Sequence, residues 1–173
     1  GPAGYGTIFR LTSANVLSVV AAFNGTNGGQ PLATVTVGMD GVLYGTTYSG
    51  GQDYNGIHRG TVFGCTVGGA LSTLHDFVIG PSGYYPRSRL IQDSNGILYG
   101  TTSSSASAET YGTFFSISTN GNWTNLMTFG LTNGTAFAGS PVWAPDGSLY
   151  GTTPRGGAGR AGMVFRLFPG TEP

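Results

Sequence analysis

Leu43-Tyr44-Gly45-Thr46-Thr47 recurs word for word as Leu98-Tyr99-Gly100-Thr101-Thr102 and again as Leu149-Tyr150-Gly151-Thr152-Thr153. The copies lie 55 and 51 residues apart. Five residues repeated three times at nearly constant spacing mark an array of one supersecondary unit. Three further phrases recur around it in fixed order. One is Gly-x-x-Phe, at Gly6 to Phe9, Gly60 to Phe63, Gly112 to Phe115 and Gly162 to Phe165. Another is an alternating run ending in Phe, at Leu17 to Phe23, Leu71 to Phe77 and Trp123 to Phe129. The last starts at a proline, at Pro31, Pro86 and Pro141.

Each phrase is short and rich in β-branched and aromatic residues, and none has helical periodicity, so each reads as a strand. Let A be the proline strand, B the Tyr strand, C the Gly-x-x-Phe strand and D the alternating run. Four short strands in a repeat of about 50 residues match the size of a propeller blade. The expected fold is therefore all-β, a propeller-type array of about three four-stranded antiparallel blades. A sandwich-like or solenoid β array is the alternative. The chain is read as a single repeat domain over residues 1–173, with repeats at 31–77, 86–129 and 141–168 and a partial N-terminal blade at 6–23.

Connections divide into two kinds. A to B turns on Asp40-Gly41, Asn95-Gly96 and Asp146-Gly147, which read as two-residue hairpins with positive φ at both central residues. C to D turns at Ser13-Ala14-Asn15, Gly68-Gly69 and Asn120-Gly121. B to C and D to A are longer and vary between repeats. In an antiparallel meander the tight turns then share one end and the long loops the other, and variable loops on a repeated scaffold are where binding sits.

Composition narrows the function. Gly and Pro number 32 and 9 of 173 residues, but 10 Phe, 9 Tyr and 2 Trp argue against disorder. Seven basic residues, all Arg, balance seven acidic ones, so no electrostatic footprint for nucleic acid or for an anionic membrane exists. No apolar run is long enough to span a bilayer. Low charge with abundant Gly, Ser, Thr and Asn fits an extracellular or cell-surface protein. Cys65 stands alone and forms no intrachain disulfide. Three sequons, at Asn24, Asn122 and Asn133, are at the level chance supplies in so Asn- and Thr-rich a chain.

The phrase Asp-Gly-x-Leu-Tyr-Gly-Thr-Thr at Asp40 to Thr47 and Asp146 to Thr153, followed by Gly-Thr-Val-Phe at Gly60 to Phe63, resembles the GloVer (Gloeo/Verruco) tandem repeat family. The middle copy departs at Asn95, a conservative change for a turn. The resemblance runs from Gly6 to Phe168. It implies bacterial exported or surface-anchored repeat proteins with a propeller-like array, and it implies no established enzymatic activity and no catalytic residues. The anchor segments of such proteins are not seen here.

Read in order, the strands run C-D, A-B-C-D, A-B-C-D, A-B-C. About three blades fall short of the about four to eight that close a propeller, so two apolar blade faces would meet water. A homo-oligomer closing a ring through blade faces or terminal strands is expected, or else a longer array. The first B–C loop gathers Asp53, Tyr54, His58 and Arg59, a mix suited to hydrogen bonding and stacking on a polar ligand such as a glycan. Tyr84, Tyr85, Glu109, Tyr111, Arg155 and Arg160 fall on the same expected loop end. Asp53 and Glu109 are the one carboxylate pair a glycoside-processing enzyme could use. Cys65 aligns with Leu11, Ile117 and Leu167 and reads as a buried core residue, and His75 aligns with Ala21 and Met127 and reads as a core or blade-interface histidine. Asp93-Ser94-Asn95-Gly96 is explained as a turn and lacks a calcium loop's ligand count. No catalytic residue, metal or cofactor is expected. The function expected is a non-enzymatic structural or self-assembly module, with a lectin-like module as the alternative.

Overall fold

The computed structural model describes residues 1–52, 57–80, 82–104, 110–135 and 139–169. It is all-β, with fourteen strands among these residues in four antiparallel sheets. The first sheet pairs β1 (Thr7–Leu11) with β2 (Leu17–Ala22). The second runs β3 (Thr36–Val37), β4 (Leu43–Thr47), β5 (Thr61–Cys65), β6 (Leu71–Asp76). In the third, β9 (Leu98–Ser104) pairs with β10 (Thr110–Ile117), which pairs with β11 (Trp123–Gly130). The other edge of β9 takes two short strands, β7 (Tyr84–Pro86) and β8 (Ile91–Gln92). The fourth sheet is β12 (Val142–Trp143), β13 (Leu149–Thr153), β14 (Met163–Leu167). The sheets thus follow the C-D, A-B-C-D, A-B-C-D, A-B-C order of the phrases.

Three residues of the repeated phrase, its Gly, last Thr and Tyr, make contacts that recur between copies. Its Gly lies opposite the Phe of strand C, as Gly45↔Phe63, Gly100↔Phe115 and Gly151↔Phe165. The ring lies across the glycine so closely that a Cβ there would sit 2.5, 2.7 and 2.3 Å from the Phe Cζ. The last Thr bonds the Thr of Gly-Thr-x-Phe, with Oγ1 atoms 2.8 Å apart for Thr47 and Thr61 and 2.9 Å for Thr102 and Thr113. The Tyr hydroxyl donates to the turn carboxylate, at 2.7 Å for Tyr44–Asp40, 3.0 Å for Tyr99–Asp93 and 3.3 Å for Tyr150–Asp146. Burial and the bond to Asp40 raise the Tyr44 phenol to about 12, so it remains a donor.

The sheets stack through one repeated contact. The Phe ending strand D meets the strand-C Phe of the next sheet edge to face. Centroids are 5.1 Å apart for Phe23–Phe63 and 5.5 Å for both Phe77–Phe115 and Phe129–Phe165. Three separate apolar clusters result, one per junction. Cys65 is fully buried in the first, and Leu98, Phe115 and Ile117 are fully buried in the second.

Three details differ from the sequence reading. The A–B turns are not two-residue hairpins. Gly41, Gly96 and Gly147 have positive φ, whereas Asp40, Asn95 and Asp146 do not. Gly41 N–H bonds the Gly38 carbonyl at 2.9 Å and Gly38 N–H the Val42 carbonyl at 2.7 Å, a three-residue loop with a glycine bulge. Pro141 is not equivalent to Pro31 and Pro86. Strand register equates Val37, Gln92 and Trp143, so the first two prolines precede their Leu by twelve residues and Pro141 by eight. Strand D is not a simple alternation either. A bulge leaves Val20, Leu74 and Leu126 without partners between paired neighbours. Residues before the bulge (Leu71, Trp123) pack toward the preceding sheet, and residues after it (His75, Phe77) toward the next.

The array has a polarity visible in exposure. The strand-C Phe, which faces the preceding sheet, is 1%, 0% and 6% exposed at 63, 115 and 165 but 65% at Phe9. The residue before it, which faces the next sheet, is 6%, 0% and 0% exposed at Ile8, Val62 and Phe114 but 69% at Val164. Among the described residues no strand pairing and no apolar cluster joins the first sheet to the fourth. We therefore predict that Phe63→Ala costs about 3–5 kcal/mol, while Phe9→Ala, at the same repeat position, costs under about 0.5 kcal/mol. Urea unfolding of the monomeric species measures both, and equal costs would refute the assigned polarity.

Candidate functional site

The A–B and C–D turns lie at one end of the sheets, and the longer B–C and D–A connections at the other. At the loop end the D–A and B–C connections bond each other. Gly29 and Ser49 exchange backbone bonds of 2.7 and 3.0 Å, and Thr135 N–H meets the Arg155 carbonyl at 2.9 Å. The loops are thus built as pairs, one pair per sheet junction.

An aromatic and cationic ladder joins the B–C loop of the second sheet to the D–A connection that enters the third. The Tyr48 and Tyr85 rings stack with centroids 4.7 Å apart and planes at 23°. Tyr84 meets Tyr85 edge to face at 5.0 Å. The Arg59 guanidinium lies 4.0 Å from the Tyr84 ring centroid and 5.7 Å from that of Tyr85. The Arg87 guanidinium lies 4.5 Å from the Tyr48 centroid. Arg87, Tyr48, Tyr85, Tyr84 and Arg59 form a continuous run, with cation–π contacts at both ends. Backbone bonds hold it. Tyr85 N–H donates to the Arg59 carbonyl at 2.9 Å, and Ser103 Oγ donates to the Tyr85 carbonyl at 2.8 Å. Tyr85 has φ +59°, a strained conformation for a side chain of this size, maintained by those contacts. Arg59 Nε is buried without a hydrogen-bond partner. Neither Arg59 nor Arg87 is in an ion pair among the described residues, where Arg166–Asp146 at 3.1 Å is the one present.

The match to known repeats spans this whole arrangement: a family described as the Gloeobacter/Verrucomicrobia repeat covers residues 1–172. The chain belongs to that family. No curated protein matches it. Among the described residues of this member of the repeat family the ladder occurs at one junction. Between the first and second sheets, Tyr5 stands at the place of Arg59 and Gln30 at that of Tyr85. The backbone bond is kept, from Gln30 N–H to the Tyr5 carbonyl at 2.8 Å, without the stacked rings.

Of the residues singled out in the sequence, Arg59, Tyr84 and Tyr85 come together here. His58 is exposed beside them, its Nδ1 3.1 Å from the Gly51 carbonyl. Asp53, Tyr54 and Glu109 lie outside the described residues. Tyr111 is half-buried on β10, and Arg155 and Arg160 are exposed after β13; none of these three adds a ring or guanidinium contact to the ladder. Tyr48 and Arg87 were not singled out. Tyr48 follows a repeated phrase whose other copies continue with Ser103 and Pro154, and that departure was the available signal.

The remaining candidates are structural. Burial raises the Cys65 thiol, which keeps it protonated and not nucleophilic. Asp93 accepts from Asn95 and Ile97 N–H at 2.9 Å each and from Tyr99, so its oxygens serve the turn. Among the described residues no group of His, Cys, Asp and Glu is placed to hold a metal, and no helix is long and apolar enough to cross a membrane.

His75 stacks on Trp123 at 5.4 Å and meets Phe77 at 4.8 Å, its Nε2 buried without a hydrogen-bond partner. Desolvation lowers its pKa below the ordinary 6.5, outweighing attraction to Asp76. The folded chain therefore binds this proton less tightly than the unfolded chain. The associated stability is complete above about pH 6.5 and declines as pH falls below it. We predict that the urea midpoint falls between pH 6.5 and 5, and that His75→Met, the residue found at the equivalent Met127, flattens the fall. An equally steep fall in the variant would remove His75 as the cause.

Proposed function

We propose that this repeat protein is a non-enzymatic, propeller-type module of the cell surface or extracellular space whose end faces mediate self-assembly. The observation that carries the reading is the pair of unsatisfied end faces. Phe9, Leu11, Leu17 and Val19 are all exposed on the first sheet and Val164 on the fourth, while the repeat equivalents of Phe9, Leu11, Leu17 and Val164 at internal junctions are packed. Stacked antiparallel meanders of two to five strands support the propeller assignment, because such sheets pack face to face around an axis. Burying the faces in an assembly removes apolar area from water at about 25 cal/mol per Å². A closed assembly of two copies gives a discrete mass near twice 17.7 kDa in size-exclusion chromatography with light scattering. A monomer at all concentrations would refute self-assembly.

The ladder favours a second reading, a lectin-like surface for a polar ligand. Sugars present apolar C–H faces to aromatic rings and hydroxyls to guanidinium edges, and Tyr48, Tyr85, Arg59 and Arg87 supply both. Screening the protein on a glycan array tests this reading. The expected result is a bound glycan whose signal drops at least tenfold in Tyr48→Ala, with the oligomeric mass unchanged. An array without a bound glycan would leave the ladder a purely structural tie between loops.

A further inference from the structure

We infer that self-association is directional: the outer face of the fourth sheet docks on the outer face of the first sheet of a second copy, in the register of the internal junctions. The inference rests on the assembly reading above and adds the identity and orientation of the partner surface.

The internal junctions supply the template. At each, a forward face meets a backward face, and the two are built differently. The forward face presents the strand-B Tyr, the residue before the strand-C Phe, and the residues after the strand-D bulge. At the junction of the second and third sheets these are Tyr44, Val62 and Phe77. The backward face presents the strand-B Leu, the strand-C Phe and the residue two beyond it, here Leu98, Phe115 and Ile117, with Trp123 from the start of strand D. The junction of the third and fourth sheets repeats the rule with Tyr99, Phe114 and Phe129 against Leu149 and Phe165. Forward and backward faces are thus complements, and neither is its own complement.

Each end of the chain exposes one of the two. On the first sheet, Phe9 pairs across the strands with Val19 and Leu11 with Leu17. Directly opposite residues in an antiparallel pair share a face. These four exposed residues therefore form a backward face, with Phe9 and Leu11 in the roles of Phe115 and Ile117. On the fourth sheet, Tyr150 and Val164 stand in the roles of Tyr44 and Val62, a forward face. The exposed backward face carries no charge. The forward face carries Arg166, held toward the turn end by Asp146 at 3.1 Å and by Ser148 Oγ at 2.8 Å, away from Val164. Like-to-like docking would set Phe9 and Leu17 against their own copies, an arrangement no internal junction uses. Forward-to-backward docking sets Tyr150 and Val164 against Phe9 and Leu11, the strand-B and strand-C part of the internal contact; among the described residues the fourth sheet has no strand D to supply the Phe that the internal junctions add. Such heterologous contacts close into rings when the rotation allows it.

Two variants separate the possibilities. Phe9→Asp blocks the backward face and Val164→Asp the forward face, and both residues are exposed, so each variant should keep the wild-type circular dichroism and melting behaviour. The expected result is that each variant alone is monomeric by light scattering at a concentration where the wild type is associated. An equimolar mixture should form a 1:1 pair, because the intact forward face of one meets the intact backward face of the other. If one variant self-associates like the wild type while the other does not, docking is like-to-like: the directional inference is overturned and assembly stands. If the mixture stays monomeric, or both variants associate as the wild type does, the end faces do not dock as inferred. A monomeric wild type overturns the assembly reading and this inference together.

Discussion

The contact on which the structure depends is a phenylalanine ring laid across a glycine. In strand B the glycine leaves a gap, and the strand-C Phe fills it from the adjacent strand. That placement pins strand register, since a one-residue slip would set a Cβ against the ring and turn each face inside out. It also brings the ring to the surface of the sheet, where the Phe ending strand D of the preceding sheet meets it edge to face. Such a pair contributes about 0.5–1.5 kcal/mol beyond its buried area. One aromatic residue thus fixes pairing within a sheet and stacking between sheets, which explains why the two phrases carrying Gly and Phe are the most faithfully repeated.

From this follows a one-dimensional architecture. Each sheet is packed by its neighbours, and stability in such arrays is close to a sum over repeats and junctions. The ends differ, since among the described residues one face of the first sheet and one of the fourth pack against no further sheet. The end faces at Phe9, Leu11 and Val164 carry the residue pattern of the internal junctions and are exposed. The same logic places the Arg–Tyr ladder. It sits where the rule does not constrain sequence, in paired loops at the end opposite the tight turns, so it can occur at one junction and be absent from the next.

Much of the candidate site was legible where residues clustered locally and little where they did not. Arg59 stood out because it follows His58 in a loop with Asp53 and Tyr54, and Tyr84-Tyr85 because two aromatics adjoin. Tyr48 and Arg87 join the ladder from different connections, and nothing in their own neighbourhoods announces a stack. Arg155 and Arg160, equally prominent in sequence, adjoin no ring among the described residues. Alignment with apolar positions in other copies pointed Cys65 to the core and His75 to the core or a blade interface; Cys65 is fully buried and His75 is partly buried at a sheet junction against Trp123.

Sequence alone determined the class of fold, the strand order and the end at which the long loops lie, because these follow from local period, turn residues and spacing. Tertiary structure decided what depends on pairing across distance. The strand-D bulge places residues of a single run on two opposite faces, a change that alternation in the sequence conceals because one unpaired residue leaves the pattern of residue types intact. Turn geometry was settled by strand register, which admits one positive-φ glycine where the Asp-Gly pairs suggested two such residues. The correspondence of Pro31 and Pro86, without Pro141, came from ladder partners and not from chain spacing. Which apolar faces remain open could be read only once each strand's neighbours were known, since burial belongs to a pair of surfaces and a sequence states only one of them at a time.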